Sequence, residues 1–282
     1  MIGNGPDMNE KASEAHTLCL VTGANTGIGF EIARGLAGKG CRVILACRNR
    51  GRGEAARQEI ASKCRNENVE LLIVDLASQQ SIRTAVQELR GNHPALDVLV
   101  NNAGTSSPIR QESPDGIELT FATNVLGYHL LTELLLDSLK SAPAARIVNV
   151  ASLMAYGLDL LDVQIMKRPY SATEAYAQSK QANRMLTWAL ARRLAGTTVT
   201  ANALSPGAVD TPLLHAMAPG IGGRTPEQGA DTAIWLTISP DVAGVSGRFY
   251  TDRQEIPCQF RNPANEDALC ALCDRLCGIA SK

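Results

Sequence analysis

The sequence predicts an α/β fold: one doubly wound domain in which helices flank a seven-stranded parallel sheet. Three observations predict it. Short β-branched runs alternate with stretches of helical spacing along almost all of the 282 residues. The first four runs are nearly unbroken apolar sequence, as expected of strands covered on both faces. No linker, repeat or low-complexity stretch interrupts the rhythm, so a single domain accounts for it.

In chain order, strands are expected over 17–22, 42–47, 70–75, 98–101, 146–151, 199–204 and 247–251. Helical spacing fills the intervals at 29–38, 52–63, 79–89, 116–139, 175–193 and 225–236. Strands joined by helices of this length form βαβ units, whose crossovers are right-handed and whose strands run parallel. Residues 1–16 are polar or small and read as a loose tail ahead of a domain spanning 17–282. Beyond Asp252 the chain is rich in Pro and Asn and then helical, so it is expected to wrap the outside of the same domain.

Composition narrows the function classes. A formal charge of −1 leaves no basic surplus for nucleic acid or an anionic membrane. No apolar run approaches the roughly 20 residues that span a bilayer, and the first sixteen residues lack the apolar core of a signal peptide. Eight cysteines without a secretory signal point to a reducing compartment, and the cytoplasm is the expected location. Cys19, Cys41 and Cys47 lie in or beside apolar runs and read as buried thiols. Cys270, Cys273 and Cys277 share one helix face, but His215 is the only distant histidine that suggests itself as a further ligand, so no metal is expected.

The first strand runs into Thr22-Gly23-Ala24-Asn25-Thr26-Gly27-Ile28-Gly29 and then a helix. In such a strand-to-helix turn, backbone N–H groups face a pyrophosphate at the positive end of the helix dipole. The glycines divide the work: one permits the turn, one lets the phosphate approach, and one lets helix and strand pack closely.

The spacing Thr-Gly-x-x-x-Gly-Ile-Gly resembles the cofactor loop of the short-chain dehydrogenases/reductases. Further matches follow in order: Asn101-Asn102-Ala103-Gly104, Asn124, Ser152, Tyr176-x-x-x-Lys180 and Pro206-Gly207. Together they cover about residues 17 to 251. The resemblance implies a Rossmann-type domain and hydride transfer between a nicotinamide and a carbonyl or alcohol. Ala46-Cys47-Arg48-Asn49, Thr123-Asn124-Val125-Leu126-Gly127, the insert around 158–164 and the stretch 241–247 resemble the retinol-dehydrogenase-like branch. Relatives there often carry an amino-terminal membrane segment that this sequence lacks, so retinoid specificity is not carried over. Ala151 stands where many relatives have a second serine.

For the cofactor, the resemblance assigns Gly23, Asn25, Thr26, Gly27, Ile28 and Gly29 to the phosphates. Arg48 follows the second strand where an NAD enzyme would carry a carboxylate for the ribose 2′-hydroxyl, and positions 46–50 hold no Asp or Glu. A guanidinium there can clamp a 2′-phosphate through paired charge-assisted bonds, so NADP(H) is expected over NAD(H). By the same resemblance Asp75, closing the third strand, and Leu76 face the adenine. Asn102 and Ala103 line the adenine-ribose side, and Gly104 lets the chain pass close to the cofactor. Pro206, Gly207, Val209 and Thr211 complete the nicotinamide side.

A carbonyl that accepts hydride develops alkoxide character and needs a proton donor. Free tyrosine, with a pKa near 10, is a poor donor at neutral pH, and an adjacent ammonium is expected to lower that value. Tyr176 and Lys180 are one helical turn apart. Ser152, at the carboxyl end of a strand, would hold the substrate oxygen. By resemblance Asn124 positions a water linking Lys180 to solvent. Tyr170 is a rival, but residue 174 is Glu, which would raise a phenol pKa. Ser171 and Ser179 lack Ser152's place at a strand end.

The substrate is expected over the nicotinamide, bounded by residues 152–156, the insert, and a glycine-hinged apolar lid at about 208–224. That favours a small-molecule aldehyde, ketone or alcohol with substantial apolar surface. Leucines crowd the 116–139 helix beyond what one buried stripe needs, which fits a homodimer face unless the insert covers it. A non-catalytic NADP(H) sensor or scaffold is the main alternative, but it would be expected to lose Tyr176 or Lys180. Sugar-nucleotide epimerases usually have a shorter glycine spacing, and no Gly-x-Ser-x-Gly elbow supports a hydrolase.

Overall fold

The computed structural model describes residues 17–280; the tail expected at 1–16 lies outside them. The chain order is β1 (Leu18–Thr22), α1 (Gly27–Gly38), β2 (Arg42–Cys47), α2 (Arg50–Cys64), β3 (Val69–Ile73), α3 (Gln79–Asn92) and β4 (Val98–Asn101). A short α4 (Leu119–Phe121) continues through a π-helical turn (Ala122–Leu126) into α5 (Gly127–Lys140). Then come β5 (Ala145–Val150), α6 (Ala172–Arg193), β6 (Val199–Leu204), α7 (Pro212–Met217), α8 (Pro226–Ile238), β7 (Phe249–Thr251), β8 (Gln254–Glu255) and α9 (Pro263–Cys277).

The sheet order is β3-β2-β1-β4-β5-β6-β7-β8. The first seven strands pair in parallel and β8 returns antiparallel on β7. The order reverses between β1 and β4, and ligands bind in the crevice at the carboxyl ends of strands where such a reversal occurs. Alternate side chains of each strand feed two cores. One side, with Leu18, Leu20 and Ile44, packs under α3, α5, α6 and α9; the other, with Cys19, Val21 and Val43, packs under α1, α2 and α8.

Four boundaries differ from expectation for local reasons. An eighth strand exists because Asp252 and Arg253 both adopt left-handed φ values, 50° and 59°, closing a two-residue hairpin without the usual Asn-Gly or Asp-Gly. Gly247, at φ 72°, turns the chain before β7 can begin. Gly116, at φ 72°, likewise delays the fourth long helix until Glu118, whose buried carboxylate caps the amides of Thr120 and Phe121. Asp75 does not close the third strand, which ends at Ile73; it lies in the following turn, where it accepts a bond from the Ala77 amide.

The leucines of α5 are covered by this chain's own packing. Leu130, Leu131, Leu135, Leu136 and Leu139 are buried in the core that includes Leu269, Cys273 and Cys277 of α9. The end of α9 is tied to α3, with Gln79 and Arg83 donating to the carbonyls of Leu276 and Cys277. The leucine surplus therefore serves the monomer, and the segment that helps cover it is the carboxyl-terminal helix. All eight cysteines are free thiols.

Candidate active site

The glycine turn has the shape the sequence implies. Gly23 has φ +67°, and a Cβ there would meet the Ala103 backbone at 2.9 Å. Gly29 lies so close beneath the turn that a Cβ would stand 2.4 Å from both Asn102 Nδ2 and the Gly23 carbonyl. The Thr22 hydroxyl accepts from the amides of Asn102 and Ala103 at 2.8 and 3.0 Å, and Asn102 returns a bond to the Thr22 carbonyl. This stitches β1 to the loop after β4. Thr26 begins α1 without a side-chain cap, and no acidic residue occupies the first turn. The amino-terminal amides of α1 thus keep no anionic side chain of their own, which fits a dinucleotide pyrophosphate.

The other cofactor positions fall around this turn. Thr211 caps α7 and sits against Gly27, whose Cβ would stand 3.2 Å from its methyl. Val209 is buried and pairs with Arg224 in an isolated bridge, while Gly207, at φ +78°, packs on the Arg224 side chain. Pro206 follows the buried end of β6. Leu76 packs against Gly127. Arg48 is exposed just past β2 and makes no hydrogen bond or ion pair with the described residues.

Tyr176 and Lys180 lie on α6, and Ser152 lies two residues beyond β5. The Lys180 ammonium group is buried, donates to the Val150 carbonyl at 2.8 Å, and stands 5.5 Å from the centre of the Tyr176 ring. On its other side is Tyr128, at 5.7 Å, whose hydroxyl donates to the Ala103 carbonyl at 2.8 Å. Gly104 marks where the groups converge: its missing Cβ would lie 3.7 Å from Asn124 Oδ1 and 3.8 Å from Lys180 Nζ. The proposed proton chemistry and the glycine turn therefore share one loop, residues 102–104.

The electrostatics differ from the sequence expectation. Burial pushes the Tyr176 phenol up to about 12, opposed by a hydrogen bond with Ser152. Burial also pushes the Lys180 ammonium down to about 7. Desolvation outweighs the attraction that an ammonium was expected to exert on the phenolate, because both groups leave water together.

Asn124 is fully buried in the π-helical turn. Its carboxamide accepts from the Thr105 amide and donates to the Thr105 carbonyl and to Ser179 Oγ, at 2.8 to 3.0 Å. The Ser179 hydroxyl itself donates to the Tyr176 carbonyl. Ser171 caps α6. Tyr170 is held elsewhere, donating to Ser107 and Glu118, and burial raises it to about 12; Glu118, not Glu174, is its acidic neighbour. Ser152 Oγ accepts from the Met154 amide at 3.0 Å.

Arg184 escaped the sequence reading. It lies one turn past Lys180, the third member of a run at 176, 180 and 184, and donates to the Ser152 carbonyl. Its guanidinium stacks on Phe249 at 3.7 Å and lies 5.5 Å from Phe260. The spacing from Lys180 was the available signal. His215, the distant histidine considered for a metal, instead pairs with Asp210 on the lid.

The model of the short chain dehydrogenase family matches residues 17–221. The chain is 42% identical to human retinol dehydrogenase 14 over 262 residues, covering 84% of this chain and 78% of that protein. It is 34% identical to the chloroplastic short-chain dehydrogenase TIC 32 B of Brassica napus, with 98% and 91% covered. A crystal structure of an uncharacterized protein from Mycobacterium paratuberculosis superposes with a TM-score of 0.78 at 31% identity, covering 94% of each chain. No helix among the described residues is long and apolar enough to cross a membrane. The chain belongs to the short-chain dehydrogenase family, in its retinol-dehydrogenase-like branch, and is an oxidoreductase that works with a nicotinamide cofactor.

Proposed function

We propose that this protein is an NADP(H)-dependent carbonyl reductase, or alcohol dehydrogenase in reverse, acting on a largely apolar small molecule. One observation carries the reading: Tyr176, Lys180 and Ser152 converge beside the glycine turn at the carboxyl edge of the sheet. The nicotinamide, when bound, supplies the hydride for reduction or accepts it in oxidation.

The chain's own residues handle the proton. Ser152 Oγ orients the substrate oxygen, and Tyr176 transfers its phenolic proton to that oxygen as the C–O double bond becomes a single bond. Even with the phenol near 12, the transfer runs downhill, since an alkoxide is a far stronger base. The resulting phenolate is reprotonated from the side of Lys180, which stands 5.5 Å from the centre of the tyrosine ring and near 7 exchanges protons readily. Asn124, beside Lys180 at Gly104, holds the geometry through which a relay water connects that lysine to solvent.

Arg48 supports NADP(H): it is an exposed guanidinium with no protein partner, positioned after β2 where the adenosine ribose lies in this fold. An apolar substrate is supported by the large side chains left exposed on the three bounding segments. These are Leu153 and Tyr156 after β5, Leu161 and Met166 in the insert, and Ile221 in the lid at 208–224. Eight free thiols fit a reducing compartment such as the cytoplasm.

The test is NADPH oxidation across a panel of aldehydes and ketones with wild type and Tyr176→Phe. The variant should lose turnover by roughly 10²- to 10⁴-fold while binding NADPH normally. Undiminished turnover would overturn the assignment.

A further inference from the structure

We propose that His129, Cys270 and Asp274 form a binding site for one zinc-class divalent cation between α5 and α9. The site shares no residue with the Tyr176 group. The three side chains each present a ligand atom, and all of these atoms lie within 4.8 Å of one another. His129 Nε2 is already 2.7 Å from Asp274 Oδ1. Cys270 and Asp274 are one turn apart on α9, so both project toward the histidine of α5. Two facing helices are the usual setting for metal ligands in helical layers.

A tetrahedral zinc ion with bonds of about 2.0–2.3 Å separates its ligands by about 3.3–3.6 Å. The present arrangement needs to contract by on the order of 1 Å, which side-chain rotation of Cys270 and Asp274 can supply. The donor set selects the metal. Thiolate, imidazole and carboxylate together suit Zn²⁺ or Co²⁺, whereas Mg²⁺ and Ca²⁺ take oxygen ligands. Cys273 and Cys277 do not contribute, since both are buried in the core on the inner side of the helix.

A second observation points to an occupant. His129 and Cys270 line a small cavity with Glu133, Asn149, Asn183 and Arg193. Asn183 is 2% exposed, and neither its Nδ2 nor its Oδ1 has a hydrogen-bond partner. A buried carboxamide with donor and acceptor both unmet is costly in a finished core. A metal-bound water in the fourth position would donate to Asn183 Oδ1. Glu133 is ion-paired with Arg193 in the same wall, and Arg193 Nη1 also lies 4.0 Å from Cys270 Sγ, a contact that the ion would displace. On binding, the Cys270 thiol loses its proton to solvent, and the ion replaces the hydrogen bond that joins His129 to Asp274.

The experiment uses the untagged 282-residue chain, stripped with chelator and titrated with Co²⁺. The expected result is a near-ultraviolet thiolate-to-cobalt absorption and visible bands of tetrahedral coordination, saturating at one ion per chain and displaced by Zn²⁺. Cys270→Ser should abolish the thiolate band and weaken binding roughly tenfold or more while leaving the circular dichroism unchanged. Cys258→Ser should leave the band intact. Zinc should also raise the melting temperature of wild type and not of Cys270→Ser. Absence of the thiolate band in wild type, or its persistence in Cys270→Ser, would overturn the proposal.

Discussion

Arg184 donates from its guanidinium to the main-chain carbonyl of Ser152, and so joins the helix bearing Tyr176 and Lys180 to the loop bearing the serine. The bond is charge-assisted, and the arginine has no carboxylate partner among the described residues. Its remaining neighbours are the rings of Phe249 and Phe260 and the Cys258 sulfur.

Replacing Arg184 by Leu should therefore loosen the serine without touching the cofactor. A lost charged hydrogen bond of about 1.5–3 kcal/mol corresponds to a fall in kcat of roughly 10- to 100-fold. The dissociation constant for NADPH should stay within about twofold, and Arg184→Lys, which can still donate, should recover part of kcat. An unchanged kcat in Arg184→Leu would leave the residue a purely structural role.

The depressed Lys180 value gives a pH prediction with a definite sign. Below about 7 the ammonium carries the proton that replenishes Tyr176; above it the amine has none to give. The kcat for carbonyl reduction should accordingly fall as pH rises through about 7, measured at saturating NADPH and substrate. Lys180→Arg, charged throughout that range, should remove this limb even though its overall rate is lower.

Cofactor choice is tested at Arg48. Arg48→Ala should weaken NADPH binding by about 1.5–3 kcal/mol and leave NADH nearly unaffected, as measured by fluorescence titration with each cofactor. Equal losses would mean that this guanidinium does not read the 2′-phosphate.

Gly29→Ala tests the packing of the turn. The added methyl would meet Gly23's carbonyl and the Asn102 amide at 2.4 Å, so backbone must move. A loss of about 1–3 kcal/mol in unfolding free energy is expected, together with weakened binding of both NADPH and NADH.

The parts of this protein visible in its sequence are those governed by local periodicity or tight spacing. Strands β1, β2 and β4 are nearly continuous apolar runs with clear edges, and Tyr176 and Lys180 lie one turn apart within an ordered set of motifs. What remained hidden depends on tertiary contact. Arg184 reads as a solvated residue on an amphipathic helix until Phe249 and Phe260, more than sixty positions away, cover it. His129 stands 141 positions from Cys270, and nothing local joins them. The hairpin at Asp252 and Arg253 adopts left-handed backbone without glycine, so its turn carries no compositional mark. The phenol value reversed expectation because burial, unlike spacing, is a property of the folded whole.

The carboxyl-terminal stretch has a reach beyond its place at the edge of the sheet. Phe260 and Cys258 lean on Arg184, Arg184 grips the carbonyl behind the serine, and α9 seals the leucines of α5. Trimming the chain after β8 would thus unseat the Ser152 loop, whose own residues were left intact. Residues 256–280 act as a remote brace for the Ser152 loop, so substitutions in that brace should alter the position of a serine they do not touch.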